Sequence, residues 1–463
     1  MLTYIENILR NRGGLQKVYY ALPDSLKTLA LNLRAYPLSR LRYSNETLKL
    51  VDDLLSRDSW SHDQLLEHIE EQMEELYRVS REIPFYKEIA DGTETVREFP
   101  VIKRRDVKEN YQKMVKPDSR GLIKVFTSGT SGSGLPVFYD RLSYIRHWAY
   151  SLKQKVWAGV SPTEWRITFY GPRVCSIQQK KPPFWMTNNF EHQYMMSIFH
   201  LSEQNAKHYV DFLEKHQGLV VEGFATVLYL VAQYIKALKG KLSFKAVFST
   251  GEPLYPFMRR LIEDAFGTKV YDSYGMTEMA GFIFECEKGG YHAMLDYGFV
   301  EIVDEKENPL PPGEEGYLIW TGFTNHTMPF IRYMIGDKGR FENKTCTCNR
   351  PFPLVNPTIT RDSDYLVTKD GTILSPRAIN QVLKNKVSFK ACQFIQNSEE
   401  EIVIRVVPDK SMDFRKELSE VKKHLQDMAG EGVSIQEEIA SEPLRRGSQG
   451  KIPLIVSNIR RSR

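Results

Sequence analysis

Phe126-Thr127-Ser128-Gly129-Thr130-Ser131-Gly132-Ser133-Gly134-Leu135-Pro136 is the stretch around which the chain is organised. It sets eight small hydroxylated or glycine residues in a row, delivered by the apolar run Leu122-Ile123-Lys124-Val125-Phe126. A strand feeding a loop of this composition offers backbone N–H groups and hydroxyls to phosphate oxygens. No Lys followed by Ser or Thr closes it, so it is not a P-loop, and a plain kinase or GTPase has no support. From the loop alone an ordinary Gly/Ser-rich surface loop is the stronger reading, and partners elsewhere in the chain have to decide.

The chain has 463 residues, too many for one compact core, which predicts two or three domains. Its net charge of +5 is small for this length and is not concentrated in one block apart from the tail Arg460-Arg461-Ser462-Arg463, which reads as a solvated end; no nucleic-acid partner is expected. No run approaches ~18 apolar residues and the first residues lack the build of a signal peptide, so no transmembrane segment and a cytoplasmic location are expected. Five scattered cysteines argue against a disulfide framework and for free thiols or metal ligands.

Residues 1–90 predict a helical region, with Leu65, Leu66, Ile69, Met73, Leu76 and Val79 at helical spacing and Pro84-Phe85-Tyr86 as its end. After the Gly-rich loop, short apolar runs alternate with amphipathic segments. Trp165–Tyr170, Gly218–Gly223, Phe244–Ser249 and Lys269–Tyr274 predict strands, and Ala206–Lys215, Thr226–Lys239 and Pro256–Phe266 predict helices. Strands alternating with helices imply a layered α/β sheet. Gly- and Pro-punctuated strands from about residue 285 to 361 imply a β-rich subdomain inside an α/β domain spanning 91–361. Residues 362–463, with strands at Glu401–Val407 and Val433–Ile439 around a helix at Asp413–Gly430, predict a small, mobile α+β C-terminal domain.

Ser249-Thr250-Gly251-Glu252-Pro253 and Tyr271-Asp272-Ser273-Tyr274-Gly275-Met276-Thr277-Glu278 both leave predicted strands, where open α/β sheets place their ligand crevices. Tyr274 offers a flat ring to a nucleobase, Thr277 a hydroxyl to a phosphate and Glu278 a hard oxygen to Mg²⁺. Taken singly, Tyr274 is as well explained as a core aromatic and Glu278 as a helix N-terminal acid. In order along the chain, Thr127–Gly132, Tyr274–Glu278, Arg332-Tyr333-Met334-Ile335-Gly336-Asp337 and Gly450-Lys451-Ile452 resemble the motifs of adenylate-forming enzymes, the acyl-CoA ligase superfamily. Ile83-Pro84-Phe85-Tyr86, the Ser249–Pro253 turn and the short C-terminal domain are most similar to the phenylacetate–CoA ligase group and its CapK-type relatives. The resemblance runs from about residue 67 to Lys451.

That resemblance implies roles. Thr127, Ser128, Gly129, Thr130, Ser131 and Gly132 would hold the phosphates of ATP, while Gly251, Glu252, Pro253, Tyr274 and Gly275 would frame the adenine. Thr277 would touch the α-phosphate, Glu278 would ligate Mg²⁺ and Asp337 would accept the ribose hydroxyls. Lys451 would oppose the charge of the pentacovalent transition state, on a domain that rotates after adenylation. Two departures stand out. The Lys usual in the phosphate loop is replaced by Ser133-Gly134, and the hinge reads Thr360-Arg361-Asp362-Ser363-Asp364, which keeps Arg361 but places Ser363 at the usual acid.

Cys286 and His292, with Cys346 and Cys348, supply three thiols and an imidazole, a tetrahedral set for one structural Zn²⁺. From spacing alone, scattered reduced cysteines explain them equally well. The resemblance favours the metal, with Asn349 standing where the group has Gly. Cys175 and Cys392 read as buried thiols, and Trp165, Phe169, Tyr170, Phe184 and Trp185 as core before a carboxylate pocket. The implied function is ATP-dependent activation of a carboxylic acid and transfer to a thiol (CoA) or amine acceptor, in CapK-like fashion within surface polysaccharide biosynthesis. An aryl- or acyl-CoA ligase is the alternative, and a non-catalytic adenylate-binding protein the alternative of another class, against which Glu278 and Lys451 both argue.

Overall fold

A computed structural model describes residues 19, 22–127, 135–170, 174–176, 178–252, 254, 256–357, 366–369, 372–374, 378–379, 382–383, 388–408, 413–441 and 455–459. The chain divides into two compact units, one built mainly from residues before Thr360 and one mainly from residues after it.

In the large unit, α1 (Asp24–Arg42), α2 (Asn45–Ser56) and α3 (His62–Ser80) come first. Ser44 Oγ caps α2 by accepting the N–H of Thr47 at 3.1 Å, and Ser61 forms a capping box with Gln64 on α3. Such caps contribute about 1 kcal/mol each. The stripe Leu65, Ile69, Met73, Leu76 and Val79 is buried as its spacing predicts, while Leu66, one position off that face, is exposed. Pro84, expected to end the helical region, instead opens α4 (Pro84–Ala90). At the first helical position the missing N–H costs nothing and the fixed φ already suits the helix.

Next come β1 (Ile102–Lys103) and α5 (Arg104–Asn110), then β2 (Ile123–Phe126) and β3 (Pro136–Tyr139), which pair as a ribbon. Its neck is closed by Thr127 N–H to Leu135 O and Leu135 N–H to Thr127 Oγ1, both 3.0 Å. Helix α6 (Arg141–Trp157) keeps Ile145, Ala149 and Leu152 at helical spacing but is not among the elements expected from the sequence, and beside them and Trp157 it also buries Lys153, Gln154 and Lys155. Each has a partner. Lys153 Nζ donates to Leu54 O at 2.7 Å and meets Asp58 at 2.9 Å, Lys155 meets Glu222 at 2.5 Å, and Gln154 donates to Asp272 O at 3.1 Å. Stripping a buried charge of its partner costs about 3–5 kcal/mol, so these contacts lock α6 in place.

The principal sheet contains β4 (Arg166–Phe169), β5 (Trp185–Asn188), β6 (Gln193–Met196), β7 (Val220–Gly223), β8 (Ala246–Thr250), β9 (Val270–Gly275), β10 (Phe282–Glu285) and β11 (Tyr291–Ala293). Helices α7 (Glu203–Lys215), α8 (Ala225–Lys239) and α9 (Pro256–Phe266) connect its parallel strands. The order is β11-β10-β9-β8-β7-β4-β6-β5, parallel from β6 through β9, with antiparallel strands at both edges. β7 and β8 carry the short apolar runs Val220-Val221 and Ala246-Val247-Phe248 that parallel strands covered on both faces require, whereas fully buried β4 also includes Arg166 and Thr168. Phe169 and Phe184 are core, as expected, and Cys175 is buried.

A second sheet orders β1-β14-β13-β12, from β12 (Gly298–Val303), β13 (Gly316–Gly322) and β14 (Tyr333–Phe341), with β15 (Val355–Asn356) on β14. The β-rich region therefore reaches back to residue 102, beyond its sequence-predicted range. Trp320 on β13 is fully buried, and a Cβ at Gly281 would stand 2.1 Å from its indole, so only glycine lets that segment cross the sheet.

In the small unit, β16 (Leu366–Val367) pairs β17 (Ile373–Leu374). A four-stranded sheet is formed by β18 (Phe389–Ser398), β19 (Glu401–Pro408), β20 (Ser434–Ile439) and β21 (Ile455–Ser457), ordered β20-β19-β18-β21. Helix α10 (Phe414–Ala429), capped by Asp413, buries Leu418, Val421 and Leu425 in a core that also holds Phe394, Ile402, Ile404 and Cys392. Among the described residues no helix is long and apolar enough to cross a membrane.

Candidate active site

In the principal sheet the strand order reverses between β4 and β7, and β8 and β9 end on the same edge, with Thr250 opposite Ser273. Ligand crevices of open α/β sheets lie outside such carboxyl ends. Gly251, at φ +77°, and buried Glu252 follow β8 directly. From β9, the Tyr274 hydroxyl donates to Asp337 Oδ2 on β14 at 2.9 Å, and its ring stacks on Trp320 at 6.2 Å between centroids. Trp320 thus takes one face of Tyr274 and leaves a base only the other. Glu278 is not at a helix N-terminus. It lies in a turn that continues into Met279 at φ +56°, where the Tyr333 hydroxyl donates to its Oε1 at 3.2 Å. The Tyr139 hydroxyl donates to the Thr277 carbonyl and so pins the same turn from β3.

Tyr274, Gly275, Thr277, Glu278 and Asp337 are thereby brought together, beside the strand end that carries Gly251 and Glu252. Thr127 stands at the neck of the β2–β3 ribbon. Ser128, Gly129, Thr130, Ser131, Gly132, Pro253, Arg361 and Lys451 lie outside the described residues, as does the rest of the hinge stretch.

Several residues near this cleft carry no sequence signal. His147 on α6 stacks on Phe282 at 5.4 Å and shares a 2.9 Å hydrogen bond between its Nδ1 and the Tyr297 hydroxyl. Burial, with Arg42 nearby, pushes it down to about 4, so it is neutral at pH 7. Asp272 on β9 accepts from the Ser249 hydroxyl on β8 and, at 3.1 Å, from the Tyr291 hydroxyl. Glu285 lies beside it, accepting the Asp272 N–H at 2.9 Å and Arg259 at 2.7 Å. Burial, reinforced by the Glu285 charge, pushes Asp272 up to about 7.

A raised carboxyl works in one direction. Asp272 is protonated in both folded and unfolded chains at low pH, whereas between about pH 4 and 7 only the unfolded chain loses the proton, so stability falls as pH rises through that window. Asp272→Asn removes this dependence. The urea-unfolding free energy of the wild type minus that of the variant should therefore decline from about pH 4 to 7, by up to about 4 kcal/mol if the whole shift is expressed. Parallel pH profiles would show that Asp272 ionises normally.

On the far side of β10, Cys286, His292, Cys346 and Cys348 place their donor atoms within 4.8 Å of one another. The Cys286 and Cys346 sulfurs are 3.6 Å apart and Cys348 Sγ is 3.2 Å from His292 Nε2. Ligands of a tetrahedral zinc, with Zn–S about 2.3 Å and Zn–N about 2.0 Å, stand at about these separations. His292 Nδ1 donates to the Phe352 carbonyl at 2.8 Å, which leaves the Nε2 lone pair aimed at the sulfurs, the tautomer a metal needs. Asn349 takes a left-handed φ of +60°, as its place in the motif requires, and a Cβ on Gly290 would press within 2.8 Å of Cys346 Sγ. The donor set fits a closed, four-ligand site.

A model of the AMP-binding enzyme family matches residues 54–328, and one of the CapK C-terminal domain matches residues 366–458. Protein CapK of Staphylococcus aureus is 26% identical across 96% of this chain and 100% of its own length. Phenylacetate-coenzyme A ligase of Thermus thermophilus is 31% identical over 148 residues, covering 31% of this chain and 33% of that protein. A solved structure of 2-hydroxyisobutyryl-CoA ligase in complex with 2-HIB-AMP and CoA shares the fold. Its TM-score is 0.58 at 18% identity, over 87% of this chain and 92% of that one.

Proposed function

Because the chain belongs to the AMP-binding enzyme family and is an AMP-forming ligase, we propose that it uses ATP to convert a carboxylic acid to an acyl-adenylate and passes the acyl group to a thiol or amine in surface-polysaccharide biosynthesis. The observation that carries this reading is the buried Tyr274–Asp337 hydrogen bond beside the Glu278 turn. It sets a carboxylate next to an aromatic ring and a second carboxylate, a set suited to ribose, base and phosphate-bound Mg²⁺ respectively. Thr277 and the Thr127–Gly132 loop would serve the phosphates, Arg361 the hinge, and Lys451 the reacting carboxylate and α-phosphate. The full-length likeness to Protein CapK supports the CapK-like reading, and the polysaccharide setting is what that family resemblance implies. A CoA acceptor is the second reading, supported by the likeness to phenylacetate-coenzyme A ligase over a third of the chain.

Pyrophosphate exchange into ATP, run with a panel of aryl, aliphatic, amino and uronic acids, tests adenylation. Release of the acyl group to CoA or to hydroxylamine then separates the acceptors. ATP binding without exchange for any acid would instead favour a non-catalytic protein. Asp337→Asn should weaken ATP binding by roughly 1–3 kcal/mol, since an amide replaces a charged acceptor, with acid preference unchanged. Calorimetric titration reads this directly, and unaltered affinity with altered acid preference would assign Asp337 to the wrong substrate. In the same reading, Cys286, His292, Cys346 and Cys348 hold one structural Zn²⁺.

A further inference from the structure

Among the described residues ten large apolar side chains stand exposed, and four of them, Leu26, Leu29, Leu33 and Tyr36, lie on one face of α1. A fifth, Phe190, packs edge-on against Tyr36 at 5.0 Å. Leu33 is 66% exposed. Much of the face that α1 turns to the body is polar. Asn32 donates to Thr187 O at 2.9 Å and accepts from Asn189 N–H at 2.8 Å, Arg42 pairs with Glu191 at 3.0 Å, and Lys27 and Ser39 are buried. An amphipathic helix ordinarily does the reverse, since burying each leucine is worth about 1.5–3 kcal/mol. The outward stripe is therefore a surface with an occupant to find.

Charge identifies the occupant. Among the described residues α1 exposes Arg34 and Arg40, beside buried Lys27 and the Arg42 that Glu191 neutralises, and its sequence holds one acid, Asp24. Residues 178–190, whose Met186 packs with Val174 and Cys175 against Leu31 of α1, add exposed Lys180 and Lys181 and contain no acid. At the same edge a cleft of about 510 Å³ is lined by Ser39, Arg40, Tyr43, Phe190 and His192, and the one acid there, Glu46, is engaged by Arg141 at 2.6 Å. A second copy of the chain would set two like-charged faces together. An anionic surface meets both the charge and the apolar stripe.

We propose that α1, with Phe190 and the basic cleft beside it, docks the protein on an anionic lipid bilayer. The helix lies in the interface, with Leu26, Leu29, Leu33 and Tyr36 at the headgroup–acyl boundary and Arg40 among the lipid phosphates. The surface does not rely on the adenylation reading and stands or falls separately from it.

Sedimentation of the full chain with vesicles tests it, using phosphatidylcholine alone and phosphatidylcholine mixed with phosphatidylglycerol. Binding is expected to the mixed vesicles, to weaken as salt is raised, and to fall by about tenfold or more in Leu29→Glu/Leu33→Glu. An unchanged melting temperature in that variant, whose altered side chains are exposed, shows that the fold is intact. Arg40→Glu should lower binding to the mixed vesicles only. Absence of binding to either vesicle, equal binding by the double variant, or a wild-type dimer in light scattering that the double variant abolishes would each overturn the proposal, the last by making this face a contact between copies.

Discussion

Lys451→Ala is expected to slow acyl-adenylate formation by at least about two to three orders of magnitude and to leave ATP binding near the wild-type level. The residue follows Ser448-Gln449-Gly450 and stands shortly before β21 in the small unit, outside the described residues. In the proposed role an ammonium next to Gly450 would contribute little to binding the nucleotide itself. It would contribute most where negative charge accumulates, on the α-phosphate as the carboxylate attacks. Losing one such donor costs about 2.7–4 kcal/mol of transition-state stabilisation in comparable oxyanion sites. Single-turnover formation of the adenylate, beside equilibrium ATP binding, separates the two quantities. Adenylation at the wild-type rate in the variant would remove Lys451 from the chemistry.

Cys346→Ser is expected to lose bound metal and a large part of the thermal stability together. Structural zinc in small domains contributes apparent binding free energies of about 10–16 kcal/mol, and part of that is folding free energy wherever the site is unformed in the unfolded chain. The four donors join the segment after Glu278 to the segment after Asp337, so the ion would cross-link the two stretches that approach through Tyr274 and Asp337. Elemental analysis of protein purified without a His tag should find about one zinc per chain in the wild type and little in the variant. Metal-free wild-type protein with full stability would mean that these are ordinary thiols. Any loss of activity should follow the loss of stability, because a site filled by four protein ligands leaves no position for substrate.

The parallel strands were legible because burial on both faces forces continuous apolar runs such as Val220-Val221 and Ala246-Val247-Phe248. The clustering of Cys286, His292, Cys346 and Cys348 was legible because the four donors fall in two short segments. What could not be read for helix α6 is its burial of Lys153, Gln154 and Lys155, whose partners Asp58, Glu222 and the Asp272 carbonyl lie far away in the chain. The same limit hid the surroundings of the cleft. Tyr274 and Asp337 were both singled out, but their hydrogen bond, the Trp320 ring under Tyr274, the Tyr139 contact to Thr277 and the Asp272–Glu285 pair are all products of tertiary approach. Pro84 misled because proline ends helices and starts them with equal ease, and only the following residues decide.

Strand β1 is two residues long, yet it lies parallel to β14 and is reinforced there by Arg332, which reaches back across 233 residues to the Phe99 carbonyl at 2.7 Å. Tyr86 makes a comparable reach, donating to the Pro329 carbonyl at 2.9 Å across 243 residues. Pairings this distant pay their loop-closure entropy before any contact repays it, which places them among the slow events of folding. During synthesis the first hundred residues must wait, partly unpartnered, until the ribosome has delivered β14. The second sheet therefore cannot be excised as a free-standing fragment. A chain shortened past Lys103 would leave β14 with a bare edge, and the effect of a cut at one end of the sequence would be felt as aggregation from a strand more than two hundred residues away.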